Sequence, residues 1–172
     1  MAILKILEFP NPILKKSCAE VTTFDSNLEL FISNLVETIH SQKFCVGLAA
    51  SQIGNLQRII AIDISKARRP QPNNGLLVLI NPVIVESSDF KIVREGCLSI
   101  PDFTANVKRA MKITVKYQDY CRDAINHVSQ KTLITTDLEA HAIQHEMDHL
   151  DGILFLDKIA NPASDLFRRK MY

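Results

Sequence analysis

Nowhere among the 172 residues do eighteen apolar ones run together, so no helical segment is expected to span a bilayer. The opening stretch to Pro10 lacks the apolar run and small-residue cleavage site of a secretory leader, which makes a cytoplasmic protein the expectation. No C-x-x-C pair occurs. Cys18, Cys45, Cys97 and Cys121 stand far apart, so free thiols are expected rather than a disulfide framework, and one of them is left available as a ligand. Charge of one sign is not in excess either. Twenty Lys and Arg against nineteen Asp and Glu leave a net +1, with no basic surplus for a nucleic-acid backbone, so neither a specific nucleic acid nor a membrane is an expected partner. Internal repeats and linkers are absent. A chain of this length is expected to form one domain, residues 1–172, burying about two thirds of its unfolded surface. Its 47% hydrophobic and 23% charged residues exclude disorder, collagen and coiled coil.

The pattern that is present begins with Ser26-Asn-Leu-Glu29, which reads as a capping box. Leu28, Phe31, Ile32, Leu35, Val36 and Ile39 then follow on one face of a helix. Residues 58–64, 76–86, 90–94 and 111–117 are β-branched or apolar runs separated by turn residues, and Met111 to Tyr117 alternates as a strand with one wet face does. Residues 65–75, rich in Lys, Arg, Pro and Asn, read as an exposed loop inside a hairpin. A second capping box, Thr136-Asp-Leu-Glu139, predicts a helix through His149 that stops at Gly152. Pro162 and the basic end leave room for a short terminal helix at most. The layout is α+β, mostly antiparallel strands around a central helix.

That helix carries His145-Glu146-Met147-Asp148-His149, an H-E-x-x-H run that sets two imidazoles one turn apart with a carboxylate beside them. Two such nitrogens can share one cation, and a catalytic site of this kind needs a further protein ligand. Cys97, in Glu95-Gly-Cys-Leu-Ser99 just after a strand, is the candidate, against the alternative of a small packed core residue.

Three segments in order resemble those of the peptide deformylase family over nearly the whole chain. They are Cys45-Val-Gly-Leu-Ala-Ala-Ser-Gln52, Glu95-Gly-Cys-Leu-Ser99 and Gln144-His-Glu-Met-Asp-His149. The resemblance implies a compact α+β fold and a hydrolase that frees formate from N-formylmethionyl nascent peptides. By position it makes Cys97, His145 and His149 the metal ligands, Glu146 the acid/base, and Gln52 with the Leu98 backbone N–H the donors to oxygen. It further implies that Val46 and Gly47 pair with the substrate main chain, and that Glu95 is ion-paired to Arg109 and braces the Cys97 turn. The cofactor implied is one divalent ion, ferrous iron in the cell, with zinc, nickel or cobalt in preparations. The chemistry agrees: a cation with one open position brings water toward a pKa of about 7.

The chain departs from the family pattern at Cys45, where a Gly is usual, at Ser51, where Pro is usual, at His141, commonly apolar beside the methionine pocket, and at Thr104, often an arginine. His141 also lies one turn before His145, yet no acid adjoins it, so it is not expected as a ligand. Two other readings stay open at this point. H-E-x-x-H alone would permit a zinc peptidase, and a closed site with a fourth protein ligand would make a non-catalytic binding module, docking transiently to ribosomes through residues 66–69.

Overall fold

The structure, a computed structural model, describes residues 2–69, 71–120 and 128–169. Cys121 lies outside the described residues. The first helix, α1 (Ser26–Ser41), begins one residue earlier than the capping-box reading puts it: Asp25 is the N-cap and accepts from the N–H groups of Asn27 and Leu28, so Ser26 is already helical. Asp is as good a cap as Ser, and whichever side chain reaches the free N–H groups sets the boundary.

Among the described residues six strands form one antiparallel sheet: β1 (Gly47–Ala49), β2 (Ile59–Ile62), β3 (Leu77–Cys97), β4 (Ile100–Tyr120), β5 (Val128–Thr136) and β6 (Leu166–Arg168). The order is β1-β2-β3-β4-β5, with β6 added to β4, so β1 is an edge strand. The runs at 76–86 and 90–94 are one strand, because Ser87, Ser88 and Phe90 keep pairing with Ile113, Lys112 and Ala110 through residues that read as a turn. Long β3–β4 pairing outweighs local turn preference. Residues 65–75 join β2 to β3 as expected, whereas the terminal segment gives a four-residue helix, α3 (Pro162–Asp165), followed by the strand β6.

The second long helix, α2 (Asp137–Leu150), follows β5 directly. Its predicted capping box does not form. Thr136 makes no side-chain cap, and Glu139 turns instead to Thr135 Oγ1 (2.7 Å) and to Asn74, in the β2–β3 loop. Gly152, with φ of 70°, ends the helix as foreseen. Ile60 and Ile62 of β2 pack with Ile113, Val115, Ala140, Ile143 and Leu150 on the α2 side. Ile59 and Ala61 pack with Leu35 and Ile39 of α1 on the other. A strand buried on both faces needs an unbroken apolar run, and Ile59-Ile-Ala-Ile62 supplies it. A third cluster, with Leu14, Ile100, Leu154 and Phe155, lies under the tip of the β3–β4 hairpin. No described helix is long and apolar enough to cross a membrane.

The amino-terminal segment threads past three places that matter below. The N–H groups of Leu7, Phe9 and Cys18 donate to the carbonyls of Gln52 (2.7 Å), Ser99 (2.9 Å) and Leu150 (2.7 Å).

Candidate active site

Cys97 stands at the end of β3, where Leu98 and Ser99 turn the chain into β4, and His145 and His149 face it from α2. All three are buried, and one ligand atom from each lies within 4.8 Å of the others. Cys97 Sγ is 3.1 Å from His149 Nε2, and it also accepts from Ser99 N–H and Gln52 Nε2 at 3.4 Å each.

The Glu95 carboxylate orients His145, accepting at Oε2 from its Nδ1 at 2.8 Å. Arg109 grips the same carboxylate with Nε on Oε1 (2.5 Å) and Nη2 on Oε2 (3.0 Å), and its Nη1 reaches Asp148 at 2.6 Å. The expected Glu95–Arg109 pair is therefore present beside Cys97. Burial pushes the Glu95 carboxyl up, but hydrogen bonds from His141, His145 and Arg109 outweigh it and hold the group well below the usual carboxylate range. Burial also lowers His145, while Cys97 and Glu95 more than compensate and raise it. His149 is kept well below its ordinary value by burial and by the neighbouring His145, so it presents a neutral ring with a lone pair to share.

These residues fit a metal ion. Metal–sulfur and metal–nitrogen bonds of about 2.3 and 2.05 Å at a tetrahedral angle separate two ligand atoms by about 3.5 Å, a spacing compatible with the observed cluster. A carboxylate fixing the far nitrogen of His145 is the usual partner of a metal-binding imidazole. Among the described residues no fourth His, Cys, Asp or Glu joins the group.

Glu146, next to His145 on α2, packs against Gly47 of β1. Gly47 makes this possible: a Cβ there would come within 2.9 Å of Glu146 Cγ and Oε1 and of Ile62 Cδ1. Glu146 Oε2 is buried without a hydrogen-bond partner, and burial pushes the carboxyl up to about 7 although His145 pulls it down. Gln52 is fixed at both ends of its amide, Oε1 accepting from Ala49 N–H (2.9 Å) and Nε2 donating to Ser99 Oγ (3.1 Å). Leu98 N–H donates to no group among the described residues. These side chains lie at the floor of a cleft of about 1040 Å³ that also exposes Val46, Gly47, His141 and Ala142.

Val46 and Gly47 differ in aim. The Val46 carbonyl accepts Asp63 N–H (3.0 Å) on the β2 side, so by the alternation of an antiparallel ladder the main-chain groups of Gly47 face the open edge. The Cys45 thiol donates to the Gly47 carbonyl at 3.1 Å, and burial pushes that thiol up to about 12, so it stays protonated at neutral pH. Ser51 donates its hydroxyl to the His149 carbonyl (3.0 Å) and ties the Gln52 turn to the last turn of α2. His141 is not part of the ligand cluster; its Nε2 lies 3.1 Å from Glu95 Oε1. Thr104, where the family often has arginine, accepts from Arg94 Nη1 (3.2 Å).

Sequence reasoning left out Ser99, whose N–H and hydroxyl complete the contacts of Cys97 and Gln52, although the motif contains it. It also left out the basic wall formed by Arg94, Arg168 and Arg169, because β6 reads as a loose basic tail.

A small α+β fold in which an H-E-x-x-H helix meets a buried cysteine defines a metal-dependent hydrolase. Comparison with known proteins gives the family. The family model described as polypeptide deformylase matches residues 3–165. The curated peptide deformylase of Thermodesulfovibrio yellowstonii is 40% identical over 170 residues, 99% of this chain and 97% of that protein. The crystal structure of a peptide deformylase from Legionella pneumophila superposes with a TM-score of 0.80 at 38% identity, covering 92% of this chain and 87% of that one. That of peptide deformylase from Thermotoga maritima gives 0.80 at 33%, covering 94% and 100%. The chain belongs to the polypeptide deformylase family, hydrolases that remove the N-terminal formyl group from polypeptides. The peptidase and binding-module readings give way to it.

Proposed function

We propose that residues 1–172 form a single catalytic domain that takes the formyl group from the N-terminal methionine of newly synthesised polypeptides in the cytoplasm, releasing formate. The observation that carries this reading is the buried cluster of Cys97, His145 and His149, reached from a cleft beside a sheet edge that Cys97, His145, Glu146 and Gln52 line.

Cys97, His145 and His149 would hold one divalent ion, which supplies a Lewis acid and brings the pKa of water toward about 7. One thiolate and two imidazoles suit iron, zinc, nickel or cobalt, and ferrous iron is the proposed occupant in the cell.

The peptide adds as a strand along β1, using the main chain of Gly47, while the half-buried Val46 lines the wall. Water attacks the formyl carbon, and the unpartnered Oε2 of Glu146 takes its proton. Charge then gathers on the formyl oxygen, where Leu98 N–H donates to it together with the Gln52 Nε2 N–H that turns to it from Cys97 Sγ. Glu146 returns the proton to the departing nitrogen as the C–N bond breaks, leaving formate and a free amino terminus. The raised proton affinity of Glu146 suits a group that must both accept and give.

A transient ribosome contact through residues 66–69 rests only on the exposure of Lys66, Arg68 and Arg69, and both arginines line the substrate cleft. The test of the whole reading is formate release by the metal-loaded protein. Formyl-Met-Ala should be hydrolysed and acetyl-Met-Ala left intact; equal hydrolysis, or none of either, overturns it.

A further inference from the structure

The chain is nearly neutral overall, but its cleft is not. Lys43, Arg68, Arg69, Arg94, Arg168 and Arg169 all line it, and among the described residues the only carboxylates there are Glu95 and Glu146. Glu95 is already compensated by Arg109, and Glu146 lies buried at the floor. Among the described residues none of the six cations has a carboxylate partner within 4.0 Å.

Neutral groups hold several of these cations in place. Lys43 Nζ and the Arg68 guanidinium lie 5.2 and 4.5 Å from the centre of the exposed Phe44 ring. Arg94 covers the Phe167 ring at 3.3 Å and donates to Asn106 Oδ1 and Thr104 Oγ1. Arg169 N–H donates to the Asp102 carbonyl (2.7 Å), and its guanidinium fills the space that a side chain at Gly96 would take, next to Cys97. The loop bearing Arg68 and Arg69 is tethered to α2 as well, since Asn74 N–H and Nδ2 donate to the buried Glu139 at 2.9 and 2.5 Å. Cations lining one cleft repel one another. Rings and neutral oxygens orient them without discharging them, which leaves a field at the mouth that an anion would relieve.

We infer that the cleft selects formylated peptides by charge, favouring acidic side chains at the second to fourth residues over basic ones. The inference rests on the deformylase reading and adds its substrate preference. A chain leaving the reacting carbon in extended form advances about 3.3 Å per residue, so those positions lie about 7 to 13 Å out, within reach of the mouth. Attraction of this kind raises the rate of encounter and lowers KM, and salt weakens it.

The experiment measures kcat and KM by formate release from metal-loaded enzyme on formyl-Met-Ala-Ser-Ser, formyl-Met-Ala-Glu-Glu and formyl-Met-Ala-Lys-Lys. Each is measured at ionic strengths of about 0.01 M and about 1 M, where the Debye length is about 30 and about 3 Å. The expected result is kcat/KM about tenfold or more higher for the Glu than for the Lys peptide at low salt, carried by KM, shrinking toward equality at high salt. In the double variant Arg68→Gln, Arg168→Gln the Glu/Lys ratio should fall at least about threefold, and a ratio taken within one protein is insensitive to its folded fraction. A ratio near one in the native protein, or one unmoved by salt or by the double variant, overturns the inference while the neutral peptide still reports a working deformylase. Failure on all three peptides sinks the deformylase reading instead. Competitive inhibition by a short RNA together with a ratio near one would assign the cations to nucleic acid, also against the inference.

Discussion

Arg109 of β4 reaches along the sheet to Glu95 of β3, whose register partner is Ala105, and sets two guanidinium nitrogens on two carboxylate oxygens with both side chains buried. The pair does more than neutralise itself, because Glu95 Oε2 also accepts from His145 and fixes which nitrogen that ring turns toward Cys97. Burial opposes the charge on Arg109, but Glu95 and Asp148 outweigh it and raise its proton affinity.

Removing the Glu95 charge leaves Arg109 with Asp148 as its acid partner. Glu95→Gln should destabilise the fold by less than the about 3 to 5 kcal/mol that a wholly unpaired buried charge costs, and should reduce bound metal. Thermal denaturation and metal stoichiometry check this. Native-like values in both would show that the pair is dispensable.

Glu146→Gln keeps the shape of the side chain and removes its base. Metal content and melting temperature should stay near those of the native protein while kcat falls by about 100- to 10,000-fold. Gly47→Ala should also lower kcat by another route, since the added methyl pushes Glu146 from its seat. Turnover near the native rate in Glu146→Gln would remove that residue from the chemistry.

Cys97→Ala deletes the sulfur on which Ser99 N–H and Gln52 Nε2 converge. It should lose the metal, as should the native protein under a strong chelator, and both should then melt earlier, because an ion bound only to the folded state stabilises it by mass action. Full metal occupancy in the variant would refute the ligand assignment.

Asp63 offers a pH dependence away from the metal. Burial raises its carboxyl, but Ser65 and His40 more than offset this by hydrogen bonding, so the folded value lies below the ordinary one. A depressed carboxyl contributes stability that is fully present above its unfolded pKa of about 3.9 and is lost as pH falls through the folded value. Asp63→Asn should accordingly cost stability at pH 7, and the gap from the native protein should narrow as pH drops below about 4. Denaturant midpoints at several pH values measure it, and a gap that widens on acidification would contradict the sign.

Local pattern made much of this legible. Imidazoles at positions 145 and 149 must share a helix face, and Ile59 to Ile62 must be buried on both sides. What it missed depends on contacts between distant segments. Glu139 reads as a capping-box acid but is claimed by Asn74, and Ser87 to Asp89 reads as a turn but stays in register with β4. The strand β6 is three residues long and forms only because Phe103 to Ala105 already offer it an edge. Electrostatics were the least readable, since a net charge near zero averages away a mouth lined with six cations.

The amino-terminal stretch, with one backbone tie each to Gln52, Ser99 and Leu150, acts as a clasp across three pieces of chain that share no neighbouring sequence. Each piece ends on or beside a group at the centre: the amide of Gln52, the turn that bears Cys97, the helix end that bears His149. Loosening the clasp slackens all of them together, so an alteration near Leu7, far from any reacting atom, acts as a defect of the whole centre rather than of one wall.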